Sequence, residues 1–331
     1  MLTVPLKAWN ECKSLTSQYY AKMATAKKDG KKLAWVGAGI PSDLLRAFDV
    51  VPIFGEPFGA MCTWSNLSDE LQEEVENRGY GRSFCAYCRS FLGAYFKNKS
   101  PFGTLPEADF LAGSKGACND HLALYVEFHH LTGKPLFILD EPIAPGEVKE
   151  YHLEYVERNF EKFIDFMEWI TGKKIDVEEF CKTIILARKN RILWDKVLSF
   201  SKNRPAPLNF KSQLTLMMPA IVLKGTQQAI DFYERLIEEL EERTSHGIAA
   251  KDEEKYRLMW DNIPMWFHMP LFNDLENRGV VIVISPYTAM LGAEMPSSFR
   301  QDENSKKLLQ WKDPTNLKEA VLEMANIYLE S

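Results

Sequence analysis

The chain contains no Gly-x-x-x-x-Gly-Lys-Ser/Thr segment, so ATP binding through a P-loop is not expected. It has no Gly-x-Ser-x-Gly elbow either, which removes the serine nucleophile of the α/β-hydrolases. No apolar run reaches the roughly 18 residues that a membrane-crossing helix needs. The first residues, Met1 to Lys7, lack the apolar core and small-residue cleavage site of a signal peptide. A cytoplasmic protein with no membrane partner is therefore expected. Basic charge is thin: 40 Lys and Arg stand against 46 Asp and Glu, for a net charge of −6. The densest basic stretch, Lys27-Lys28-Asp29-Gly30-Lys31-Lys32, reads as a solvated loop ahead of a buried strand, and no nucleic-acid partner is expected. With only six cysteines in 331 residues, a disulfide framework is excluded for a chain of this size and compartment.

What is present suits two ordinary domains: 46% apolar and 26% charged residues over 331 positions. In the first half, short apolar runs alternate with helical segments. Leu33 to Val36, Val50 to Phe54, Asp109 to Gly113 and Pro135 to Asp140 read as strands, with a helix from about Ser42 to Phe48 and another from about 119 to 131. Gly37-Ala38-Gly39 lacks the third glycine of a dinucleotide fingerprint and reads as a tight strand-to-helix turn. From Glu147 to Phe200 the pattern is helical, and Tyr155, Phe160, Phe163, Ile164, Met167 and Ile170 form one apolar stripe. Asn203-Arg204-Pro205-Ala206-Pro207 marks a boundary. Helices near 212–223 and 226–243 then precede strands at Tyr256 to Trp260 and Val280 to Ile284. The expected fold class is α/β: two Rossmann-like domains with parallel sheets, 1–150 and 206–331, joined by a helical connection at 151–205.

The cysteines lie at 12, 62, 85, 88, 118 and 181, so four of the six fall between 62 and 118. Alone, each is most simply a small buried hydrophobe. Cys85-Ala86-Tyr87-Cys88 admits three readings. A thioredoxin-like pair needs the motif to open a helix after the first strand, and here it comes later. A structural zinc site wants a second such motif or a His pair, where only Cys118 and His121 are at hand. An iron–sulfur site needs three or four thiolates, which distant loops can supply. Arg89, Asp140, His121, His129 and His130 read as ordinary helix or strand-end residues.

Several blocks together carry a resemblance. Gly79-Tyr80 leading to Cys85-Ala86-Tyr87-Cys88-Arg89, with Gly93 beyond, resembles the Cys-Ser-Tyr-x-Arg segment of the benzoyl-CoA reductase and 2-hydroxyacyl-CoA dehydratase family. Pro106 to Leu111 leading to Cys118, Gly133 to Asp140, Pro41 to Pro52 and Trp169 to Ile175 are similar to further family segments in the same order. Trp260 to Trp266 and Ser285-Pro286-Tyr287-Thr288 look more like the reductase branch. The resemblance implies an iron–sulfur subunit of an oxygen-sensitive enzyme, an oxidoreductase or a lyase, acting on an acyl-CoA substrate. It implies a paralogous second subunit and a separate ATP-hydrolysing iron–sulfur activator that injects single electrons. It further implies a four-iron, four-sulfide (4Fe-4S) cluster on Cys85 and Cys118, and an acidic residue near substrate at Glu56. Many dehydratase subunits carry a further cluster cysteine after the last long strand, where this chain has Tyr287 and Thr288. Cys62, in the family-like segment Glu56 to Cys62, is expected to take that place in preference to Cys88. Two alternatives stand beside this reading: a cluster-free paralogous partner of a heterodimeric dehydratase, and a stand-alone electron-transfer iron–sulfur protein.

Overall fold

A computed structural model describes residues 5–116, 118–142, 148–251, 253–292 and 311–330. The chain divides into two compact units, one comprising 20–181 and 302–329, the other 1–19, 182–301 and 330–331. The divisions fall inside helices α1 (Ala8–Thr25) and α8 (Val177–Ser199).

The first unit is built on four parallel strands: β1 (Leu33–Val36), β2 (Val51–Phe54), β3 (Phe110–Ser114) and β4 (Leu136–Leu139), in the order β2-β1-β3-β4. Every residue of β1 and β3 is buried, as expected for short apolar runs in a parallel sheet covered on both faces. Helices α2 (Ser42–Ala47), α3 (Gly55–Trp64), α4 (Ser68–Asn77), α5 (Ala86–Lys97), α6 (Asn119–Thr132) and α7 (Glu150–Thr171) complete it, with α14 (Leu317–Glu330) returning from the end of the chain. On one face Trp35 of β1 meets Phe91 of α5 and Phe128 of α6, with ring centroids 5.4 and 4.8 Å away. On the other, Phe137 of β4 stacks on Phe163 of α7 at 4.6 Å, and Phe110 of β3 meets Phe166 at 5.6 Å.

The helix α7 is therefore a cover of this sheet, because its apolar stripe needs the sheet to be buried. The expected domain limits at 150 and 205 do not coincide with the compact units for this reason. α14 likewise joins the first unit, where Tyr328 packs on Phe160 at 5.0 Å and its hydroxyl donates to Gly39 O at 2.5 Å. Within the expected stripe, Tyr155 is turned outward and bonds Asp140, while Leu153 and Val156 are buried instead. Gly133 and Gly172 end α6 and α7 in the left-handed region, at φ 65° and 70°.

The second unit carries α9 (Phe210–Leu216), α10 (Met218–Val222), α11 (Gln227–Ser245), α12 (Pro270–Asn277) and α13 (Pro286–Gly292) around a parallel pair, β5 (Tyr256–Met259) and β6 (Val280–Ile284). α/β architecture with parallel sheets is thus present in both units. Among the described residues no helix is long and apolar enough to cross a membrane.

Candidate active site

In a sheet of order β2-β1-β3-β4, the chain leaves β1 towards β2 on one side and reaches β3 on the other. The crevice beyond the carboxyl ends of β1 and β3 is a topological switch point, where open α/β sheets bind ligands. Gly37 leaves β1 there, its N–H donating to Ala112 O at 3.0 Å, and Lys115 and Gly116 leave β3 beside it.

Glu56 lies at this point because α3 starts at Gly55, directly after β2, with no intervening loop. Its Oε2 accepts from Ala38 N at 3.0 Å and its Oε1 lies 2.5 Å from His121 Nδ1. The other ring nitrogen of buried His121, Nε2, accepts from Ser114 N at 3.3 Å. A backbone N–H requires a lone pair on Nε2, which assigns the ring proton to Nδ1, facing Glu56. Gly37 makes room for the ring: a Cβ there would stand 1.9 Å from His121 Cε1.

Three thiols stand beside this pair. Cys85 is the N-cap of α5 and Cys88 lies within its first turn, while Cys118 is the N-cap of α6 and its sulfur accepts from His121 N at 3.4 Å. Asp120, in the first turn of α6, ties the two helix starts together by accepting from Cys85 N at 2.8 Å. α5 reaches this position because two glycines let it approach its neighbours: a Cβ on Gly93 would meet Leu71 O at 2.1 Å, and one on Gly59 would meet the Tyr87 backbone at 2.9 Å. Arg89 steadies the approach to Cys85, donating to Phe84 O at 2.9 Å and pairing with Glu76 at 2.5 Å.

The Cys88 thiol donates to Asp120 O at 3.6 Å. Its closeness to the Cys85 sulfur, with the N–H groups of Cys88 and Tyr87, outweighs burial and brings Cys85 down to about 6. Cys88 is held far above the ordinary thiol range, first by the neighbouring Cys85 sulfur, then by burial and by the negative fields of Glu56 and Cys118. Partial positive charge at a helix N-terminus favours a thiolate in the same sense. Cys118 is exposed, Cys85 half-buried and Cys88 buried.

The structure brings Glu56, Cys85 and Cys118 to one place together with Cys88, and sets Cys62 apart from them. The Glu56 to Cys62 segment is helix rather than loop, so Cys62 lies about 10 Å of helical rise beyond Gly55. It is fully buried, its thiol is pushed up to about 12 by that burial, and its field reaches the Tyr20 hydroxyl. Ser285 to Thr288, the other segment of interest, opens α13 in the second unit, where buried Thr288 bonds Ser285 O at 3.1 Å and accepts at its own carbonyl from Trp194. His121 and Asp120 are site residues that sequence reasoning passed over. Their signal was the spacing Cys118-x-x-His121, which places a cap and the third residue of a helix side by side.

Residues 38–310 match the protein family described as 2-hydroxyglutaryl-CoA dehydratase, D-component. The chain belongs to this family. Among proteins similar to this dehydratase-family chain is the (R)-2-hydroxyisocaproyl-CoA dehydratase alpha subunit of Clostridioides difficile, 29% identical over 255 residues, covering 76% of this chain and 62% of that one. The (R)-phenyllactyl-CoA dehydratase alpha subunit of Clostridium sporogenes is 24% identical over 289 residues, 86% of this chain and 71% of its own length. A benzoyl-CoA reductase subunit of Thauera aromatica is 26% identical over 311 residues, 88% and 71%. The dehydratase-family chain thus spans less than two thirds of the length of the Clostridioides difficile relative.

Proposed function

We propose that the chain is a subunit of an enzyme acting on coenzyme A thioesters, an oxidoreductase or lyase that holds an iron–sulfur cluster on Cys85, Cys88 and Cys118. The observation that carries this reading is the meeting of three thiols at the N-termini of α5 and α6, at a switch point that also holds the Glu56–His121 pair.

The donor set fits such a group. Among the described residues no three His, Cys, Asp or Glu side chains are placed to hold a single metal ion. A four-iron cluster is wider, and presents separate irons to separate thiolates. Cys85 already favours the thiolate, and two helix N-termini face the negative charge a sulfur-ligated cluster would carry. A 4Fe-4S cluster held by Cys85, Cys88 and Cys118 would supply single electrons at low potential.

The chain's own residues provide binding and proton handling around that chemistry. The crevice beyond β1 and β3 receives the thioester end of an acyl-CoA. Glu56, oriented by Ala38 N–H and by the imidazole Nδ1–H, takes or gives a proton at the substrate, and His121 steadies the charge this leaves on the carboxylate. The side chains of Phe58, Phe91 and Tyr125, all buried near Glu56 and Gly55, keep water from the inner side of the site. With no P-loop, the chain relies on a separate ATP-hydrolysing iron–sulfur activator, and on a paralogous second subunit, for turnover. The relatives' own names, an alpha subunit of a dehydratase and a subunit of a reductase, support the second of these.

Anaerobic purification tests the reading. The protein should be brown, with iron and acid-labile sulfide in matching amounts and visible absorption that bleaches in air. Colourless protein with zinc as its sole metal would overturn it.

A further inference from the structure

The hydrogen-bonded line that ends at Glu56 begins at another carboxyl. Glu141 follows β4, and its Oε2 accepts from the Ser114 hydroxyl at 3.0 Å. Gly116 N donates to that same hydroxyl oxygen at 3.2 Å, and Ser114 N holds His121 Nε2. Gly116 leaves a notch for the carboxylate: a Cβ there would stand 1.8 Å from Glu141 Oε2. The second oxygen, Oε1, is buried with no hydrogen-bond partner among the described residues. An ionised carboxylate with one oxygen unpaired and out of water is unfavourable, and a protonated one is less so. Burial accordingly pushes Glu141 up to about 7, against the opposing pull of the Ser114 hydroxyl and of Gly116 N–H.

The outer side of Glu141 has a route to solvent. It lines a cavity of ≈ 570 Å³ together with Lys115, Asp140, Tyr151, His152, Tyr155 and Arg158. Lys115 and Tyr155 are both committed to Asp140, at 2.9 and 2.5 Å. The titratable and charged groups facing Glu141 are thus His121 from α6, Asp140 beside it, Lys115 from the β3 exit, and His152 and Arg158 from α7.

We propose that Glu141 is a positioning residue for proton transfer at Glu56, acting through Ser114 and His121. This rests on the reading of Glu56 as the proton-handling group. When Glu141 is ionised, the Ser114 hydroxyl must donate to it, Gly116 N–H donates to Ser114 Oγ, and Ser114 N–H stays on His121 Nε2. When Glu141 holds a proton on Oε2, that oxygen no longer accepts from Ser114: its O–H donates to Ser114 Oγ beside Gly116 N–H, and the Ser114 hydroxyl hydrogen must turn away. The turn 114–116 then shifts, and Ser114 N–H loosens from the ring. Raising the pH through neutrality therefore tightens the hold on the imidazole tautomer that faces Glu56.

The test uses the full chain labelled with nitrogen-15 histidine, the His121 ring signals being assigned by their loss in His121→Gln. The ring nitrogens of His121 should shift with an inflection near pH 7 that is absent in Glu141→Gln and weakened in Ser114→Ala. The same inflection in Glu141→Gln, or none in the wild type, overturns the proposal. If Glu141→Gln fails to fold, Ser114→Ala decides, since an unchanged inflection there also overturns it. In the reconstituted enzyme, Glu141→Gln should alter the pH profile of kcat with KM retained, whereas Glu56→Gln should lose turnover at every pH. Full turnover in Glu56→Gln would defeat the reading of Glu56 as the proton-handling group. Loss there, with an unaltered pH profile and His121 titration in Glu141→Gln, defeats the Glu141 inference alone.

Discussion

Cys85 and Cys118 cap two helices, and both helix starts are joined by the bond from Cys85 N to Asp120. On the proposed reading each would supply a thiolate to the cluster, so replacing either with alanine should remove most of the iron. Between the remaining candidates the geometry favours Cys88, so Cys88→Ala should lose iron and Cys62→Ala should keep it. Iron counts on the two variants side by side decide this, and the opposite pattern would return the third position to Cys62. Glu56→Gln should lower turnover by roughly 10²–10⁴-fold, the usual worth of a positioned acid or base, with iron content unchanged. An unchanged rate would leave Glu56 as a structural partner of His121. Glu141 carries a stability prediction of its own. The folded chain keeps its proton up to about 7, while the ordinary carboxyl value is 4.5. Stability should therefore fall as pH rises across that window, by roughly 1.4 kcal/mol per pH unit for one proton, and be level above it. Urea melts of Glu141→Gln should lack this slope.

At the scale of elements, the position of α5 is the feature on which the site depends. It meets α4 at Gly93 and α3 at Gly59, and in both places the atoms a side chain would strike are backbone. Backbone cannot rotate aside as a flexible side chain can, so the helices must separate. Gly93→Ala should destabilise the first unit by about 1–3 kcal/mol, the range for overpacked contacts, read as a lower urea midpoint. It should also lower iron occupancy, since the N-terminus of α5 carries Cys85 and Cys88. Unaltered stability and iron would show that α5 has freedom these contacts deny it. α7 and α14 matter differently: they close the far face of the sheet through Phe160, Phe163 and Tyr328, and Tyr328 also donates to Gly39 O in the turn after β1.

For the whole molecule, the expectation is dependence on other chains. The chain carries no P-loop, and the proposed reading assigns ATP hydrolysis to a separate protein. Anaerobic purification from its source should bring down a paralogous subunit of similar size, and turnover should need an ATP-hydrolysing activator. Full thioester turnover by this chain alone, with only a chemical reductant, would contradict the partner assignment.

Local chemistry determined much of this protein. Short apolar runs became β1, β2, β3, β4 and β6 within a residue or so, and burial on both faces explains this for β1 and β3, every residue of which is buried. Gly133 and Gly172 stop their helices because they adopt positive φ without strain. The clustering of cysteines and the order of the family-like blocks were equally visible in the linear chain. What tertiary structure decided is which side chains meet. Glu56 and His121 are 65 residues apart, and they pair because the order β2-β1-β3-β4 brings the start of α3 and the start of α6 to one crevice. Cys88 joins the site, and Cys62 leaves it, because α3 begins without a loop and turns Cys62 into the core, while Gly59 and Gly93 admit α5 with both of its cysteines at the open end. Propensity and capping act over a few residues and can be read in order. Side-chain company depends on how strands are sequenced in the sheet and how closely backbones approach, and those are settled only when the sheet and its helices are in place.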